Sequence, residues 1–140
     1  MTIDLNSRLA TAEAIARQAG KLALDYFRKR DQLDIQTKRS LSDMVSEADR
    51  ETETLIRAAL SEAYPEDAQL GEEHGLSDGV SGLTWVIDPI DGTVNYLYGI
   101  PAYAVSVAVV LGDPTTPGAW APVAGSGCTS PSSTSKRRSP

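Results

Sequence analysis

The chain has 140 residues, of which 41% are hydrophobic and 23% charged, and its formal net charge is −6. That is the composition of one globular domain with a single core, and the negative charge argues against nucleic acid or an anionic membrane as a partner. No apolar run is long enough to span a bilayer, the N-terminus MTIDLNSRLA lacks the basic region and apolar core of a secretion signal, and the single cysteine, Cys128, cannot close an intrachain disulfide. These features lead to the expectation of a cytoplasmic protein.

In chain order, the first element is a long helix. Leu5, Leu9, Ala12, Ile15, Ala19, Leu22 and Tyr26 recur at spacings of four and three and form one apolar stripe. Arg28, Lys29 and Arg30 suit its negative C-terminal end. A second helix is expected to start near Ser46, where Ser-Glu-Ala-Asp resembles a capping box, and to end at Pro65. Its stripe runs through Thr52, Leu55, Ile56, Ala59, Leu60 and Ala63. Extended backwards, the stripe reaches Asp49, which either complements the helix dipole or points inward. AQLG then reads as a brief strand ending at Gly71-Glu72, LSDGVSG as a loop and LTWVI as a strand. Ala102–Leu111 is rich in valine and reads as a mostly buried strand. Two long helices followed by a mainly antiparallel sheet define an α+β layered fold.

The chemistry gathers where the strands end. Glu72, Asp88 and Asp91 follow short apolar runs, and Pro89 fixes its own φ and stiffens the link between the two aspartates. That leaves the Ile90 carbonyl free to face the same pocket. Clustered carboxylates raise one another's pKa unless a cation sits among them. Oxygen ligands of this type suit Mg²⁺, whereas zinc would want more than the lone His74 and the remote Cys128. Gly92 and Thr93 add backbone N–H groups that could hold an anion if a helical turn starts there. A bare DPIDG on its own is an ordinary turn, and Glu73 and His74 read as solvated loop residues.

Taken together, SDMVSEAD at Ser42, GEEHG at Gly71 and WVIDPIDGTVN at Trp85 resemble the inositol monophosphatase family, in family order, from the first helix to about Val123. The resemblance implies a sugar-phosphatase-type helix/sheet sandwich, represented by its N-terminal half only. It implies Mg²⁺-dependent, lithium-sensitive hydrolysis of a phosphomonoester such as myo-inositol monophosphate by a metal-activated water. Glu72, Asp88, the Ile90 carbonyl and Asp91 would be the metal ligands, and Glu72, Ile90, Asp91, Gly92 and Thr93 would contact substrate. Asp49 and Thr93, with Glu72, would be the catalytic set, and Lys38 would lie on a loop near a third metal. The partner would be a small phosphorylated alcohol, and full-length relatives would be homodimers. Relatives acting on histidinol phosphate, fructose bisphosphate or bisphosphorylated nucleotides share the motif, and a non-catalytic metal- or phosphate-binding fragment is the alternative.

The family's later Trp-Asp motif has no counterpart: Trp120 is followed by Ala121. Residues 1–123 are therefore expected to form the metal- and phosphate-binding part. Residues 124–140, GSGCTSPSSTSKRRSP preceded by Ala124, are expected to be a disordered Ser/Pro/Arg-rich tail. The abrupt change of composition leads to the further expectation of a frameshift near Gly125 and of an insoluble or molten product that is catalytically dead or nearly so.

Overall fold

The computed structural model describes residues 4–29, 38–72, 75–118 and 120–129, except the side chains of residues 38–40, 120 and 122–129. Helix α1 spans Leu5–Lys29 and α2 spans Lys38–Ala63. Strands β1 (Ala68–Gly71), β2 (Gly75–Ser77) and β3 (Leu83–Asp91) follow, then the short helix α3 (Thr93–Leu97) and strands β4 (Ala104–Gly112) and β5 (Trp120–Thr129). The strands form one sheet in the order β2-β1-β3-β4-β5. All pairs are antiparallel except β1 with β3, so the expected α+β layering holds with a mixed sheet. No helix among the described residues is long and apolar enough to cross a membrane.

Helix α1 starts where expected. The Asp4 carboxylate accepts the N–H of Ser7 at 2.9 Å, which satisfies one of the donors a helix start leaves open, and Arg28 and Lys29 occupy the last turn. Its buried row is Ala12, Ile15, Ala16, Ala19 and Ala23. The larger Leu9 and Leu22 are half-buried at the edges of that row, and Leu5 is exposed.

Helix α2 corrects the sequence expectation, because it begins eight residues before Ser46. Met44, Val45 and Ala48 are buried and Leu41 is packed against the core, so the apolar stripe continues upstream. Ser46 is an exposed interior residue rather than a cap. The burial of an apolar face outweighs a local capping signal because packing, not propensity, supplies most helix stability in proteins.

Both helices lie on one face of the sheet, α1 against β4 and β5 and α2 against β3. Leu83, Trp85 and Ile87 of β3 and Val105, Val107 and Val109 of β4 are buried in the shared core, while the alternating Val86, Ala104, Ser106 and Ala108 are half-buried. That is the period-two pattern of a sheet covered more fully on one side. The stretch expected as a loop after Glu72 begins inside edge strand β2, whose residues are exposed and so carry no alternating signal. Strand β5 pairs with β4 as far as Thr129 and crosses the expected boundary at residue 123. Residues 130–140 lie outside the described residues.

Two clusters lock the layers together. Asp67, buried just before β1, accepts both guanidinium arms of Arg8 at 2.8 and 2.9 Å, the Ser81 hydroxyl at 2.6 Å and the indole N–H of Trp85 at 2.9 Å. Near the other end of α1, Tyr96 packs edge-on to Tyr103 at 4.7 Å and against Phe27 at 5.4 Å. Its hydroxyl donates to the Ala23 carbonyl at 2.7 Å, which fixes α3 to α1.

Candidate active site at the ends of two parallel strands

Strands β1 and β3 run parallel, with Gly71 opposite Ile87. The next residues, Glu72 just past the end of β1 and Asp88 still within β3, are therefore neighbours. Between Asp88 and Asp91 the register shifts: Asp88 faces Ser106 and Asp91 faces Ala104, so three steps on β3 match two on β4. This bulge is where a strand tolerates proline, and Pro89 is fully buried within it. The extra residue turns the chain towards Gly92. The Ile90 side chain is anchored in the core, 2% exposed.

Gly92 has φ +92 and precedes α3 without any side-chain cap. A Cβ there would sit 2.9 Å from the Ala102 carbonyl oxygen, so both the backbone conformation and the space require glycine. Thr93, exposed, is the first residue of α3, so the helical turn on which the anion reading was conditional is present.

The electrostatics centre on Asp88. Burial pushes its carboxyl up to about 6, and the negative charges of Glu72, Asp91 and Glu53 push in the same direction, while the Ile90 backbone N–H opposes them. Its Oδ1 is buried and has no hydrogen-bond partner among the described residues. A carboxylate in this condition is a poor structural element and a good cation ligand. Among the described residues, however, no three Asp, Glu, His or Cys side chains stand close enough to enclose a metal ion. Glu72 and Asp91 are exposed, so the acids form an open rim around Asp88. Their charge, their oxygen chemistry and the orphaned Oδ1 fit a hard divalent cation.

Asp49 is 8% exposed and lies in the interior of α2, which removes the reading of a first-turn acid. Burial, two neighbouring tyrosines and the charge of Asp49 together raise the pKa of the Tyr96 hydroxyl in α3. Lys38 is the first residue of α2, and its side chain lies outside the described residues, as do Glu73 and His74.

Sequence reasoning missed Glu53. It lies one turn beyond Asp49, is completely buried, and adds its charge to the field at Asp88. The available signal was its position four residues after Asp49, on the same inward row.

The model of the inositol monophosphatase family matches residues 4–129. The chain is 44% identical over 109 residues to a histidinol-phosphatase of Chlorobaculum parvum, covering 78% of this chain and 40% of that protein. It is 47% identical over 95 residues to the inositol-1-monophosphatase SuhB of Mycobacterium tuberculosis, covering 64% and 33%. The crystal structure of the extragenic suppressor protein SuhB from Bartonella henselae superposes with a TM-score of 0.62 at 30% identity, over 76% of this chain and 43% of that one. The chain thus spans well under half the length of these relatives.

Proposed function

The chain belongs to the inositol monophosphatase family, and from that premise we propose that it carries the acid-lined part of a Mg²⁺-dependent phosphomonoesterase acting on a small phosphorylated alcohol such as myo-inositol monophosphate. The observation that carries the reading is Asp88, with its orphaned Oδ1 and its carboxyl pushed up to about 6 beside Glu72 and Asp91. Glu72, Asp88, Asp91 and the Ile90 carbonyl would hold the cation. When bound, Mg²⁺ would neutralise these acids, acidify a water and draw off charge from the phosphoryl oxygens.

The chain's own residues have separate tasks in this reading. Asp49 and Thr93 orient the attacking water, and the backbone around Gly92 and Thr93 receives a phosphate oxygen. Pro89 and the bulge keep Asp88 and Asp91 at a fixed separation. Lithium sensitivity, a third cation near Lys38, a cytoplasmic setting and dimerisation of the whole protein belong to the same proposal. The 44% identity to a histidinol-phosphatase supports histidinol phosphate as the second substrate.

Whatever inorganic phosphate the purified protein releases from these two esters should require Mg²⁺ and stop in EDTA, and Thr93→Ala should lower that turnover about 10²-fold or more. Phosphate release that EDTA leaves untouched, or that Thr93→Ala leaves at the wild-type rate, contradicts the reading.

A further inference from the structure

Glu72 sits on the short connection between β1 and β2, whose ends, Gly71 and Gly75, pair with each other across the turn. The Gly71 end lies over Glu53 and Arg57 of α2, and the Gly75 end meets Arg57. The Glu53 carboxylate lies directly beneath Gly71: a Cβ built there would fall 1.8 Å from Glu53 Oε1 and 2.9 Å from Arg57 Nη2. Arg57 Nη2 donates to the Gly75 carbonyl at 3.0 Å. Arg57 Nε stands 3.8 Å from Glu53 Oε1, one helical turn away, with the two side chains 16% and 0% exposed. The pair therefore forms a brace that rises from α2, fills the space under one end of the turn and grips the backbone at the other.

We propose that Glu53 and Arg57 are positioning residues that hold the paired strand ends Gly71 and Gly75, and with them Glu72, in register with Asp88. The role of Glu72 as a cation ligand rests on the reading above, while the brace itself rests on the contacts just described. Gly71 is part of the same device, since any side chain there would collide with the carboxylate that supports the turn. A freely solvated Glu–Arg pair on a helix contributes little to stability and would not reach a neighbouring strand. This pair is sheltered and tied to backbone. Outer groups that orient ligands typically affect metal affinity by about 10- to 100-fold.

The test combines Mn²⁺ binding by calorimetry with amide hydrogen exchange measured without metal, on the wild-type chain and on Arg57→Gln, Arg57→Lys, Gly71→Ala and the exposed control Arg50→Gln. Arg57→Gln and Gly71→Ala should weaken Mn²⁺ binding at least about tenfold and quicken exchange at Glu72 and Gly75, with Val107 in β4 unchanged. Arg57→Lys, which can still donate to the Gly75 carbonyl, should recover most of both, a rescue that a merely space-filling role would not give. If Arg57→Gln does not fold, Gly71→Ala answers the same question. Unchanged exchange and affinity in both variants overturns the brace and leaves the metal reading standing. Faster exchange at Glu72 and Gly75 in these variants, with a wild-type chain that takes up no Mn²⁺, supports the brace and overturns the metal reading.

Discussion

Asp67 and Asp88 are both acids at the ends of strands or turns, and their surroundings give them opposite characters. At Asp67 burial alone would raise the pKa, but hydrogen bonds from Arg8, Ser81 and Trp85 outweigh it and hold the carboxyl below its usual value. At Asp88 burial and three neighbouring acids act together and push it up. The first is a satisfied structural anion; the second is an anion waiting for a counter-charge. Because the folded pKa of Asp67 is depressed, its contribution to stability is complete above the unfolded value of 3.8 and is lost as pH falls through the lower folded value. Asp67→Asn should therefore destabilise the chain at pH 7 by about 2 kcal/mol, the scale of lost hydrogen bonds to a charged group, and the gap to wild type should close towards pH 2. Urea unfolding at several pH values measures it, and a gap that stays constant with pH contradicts the account. Asp88 was legible in the sequence because an acid that directly follows Trp-Val-Ile needs a reason. Glu53 was not, because a charged residue in a helix ordinarily reads as part of a solvated face, and only the approach of Gly71 shows otherwise.

Elements were read correctly where one period dominated. The apolar runs read as β3 and β4 and the three-and-four spacing in α1 each correspond to an element with a buried face. The parallel pairing of β1 with β3, which sets Gly71 opposite Ile87, was not read from the sequence, because two short apolar runs carry no signal of their relative direction. The start of α2 was misread because Ser-x-x-Asp is a short local signal, whereas Leu41, Met44, Val45 and Ala48 together carry a face into the core. The distinction has a measurable sign. Were Ser46 a cap, Ser46→Ala would cost about 1 kcal/mol. In the exposed interior of α2 it should instead stabilise the protein by up to about 0.5 kcal/mol, because alanine is the better helix former. Thermal or urea unfolding of this single variant distinguishes the two, and a clear loss of stability would restore the cap. Edge strand β2 escaped notice because exposed residues on both faces leave no pattern to read.

For the whole molecule, a helical layer on one face and an acidic rim at the ends of β1 and β3 make a sheet whose chemistry sits at one end and whose support comes from one side. The Arg8–Asp67–Trp85 network ties α1 to β3, and the Phe27–Tyr96–Tyr103 cluster ties α1 to α3 close to Gly92. These ties hold the elements that carry a rim whose acids repel one another. The central claim is that this rim takes a divalent ion through Asp88. Titration of Mg²⁺ or Mn²⁺ into the chain by calorimetry, comparing wild type, Asp88→Asn and the remote exposed control Glu62→Gln, tests it most directly. The account predicts one saturable binding event in wild type and in Glu62→Gln that is weakened at least about tenfold in Asp88→Asn. Equal binding by all three, or no binding by wild type, would contradict it.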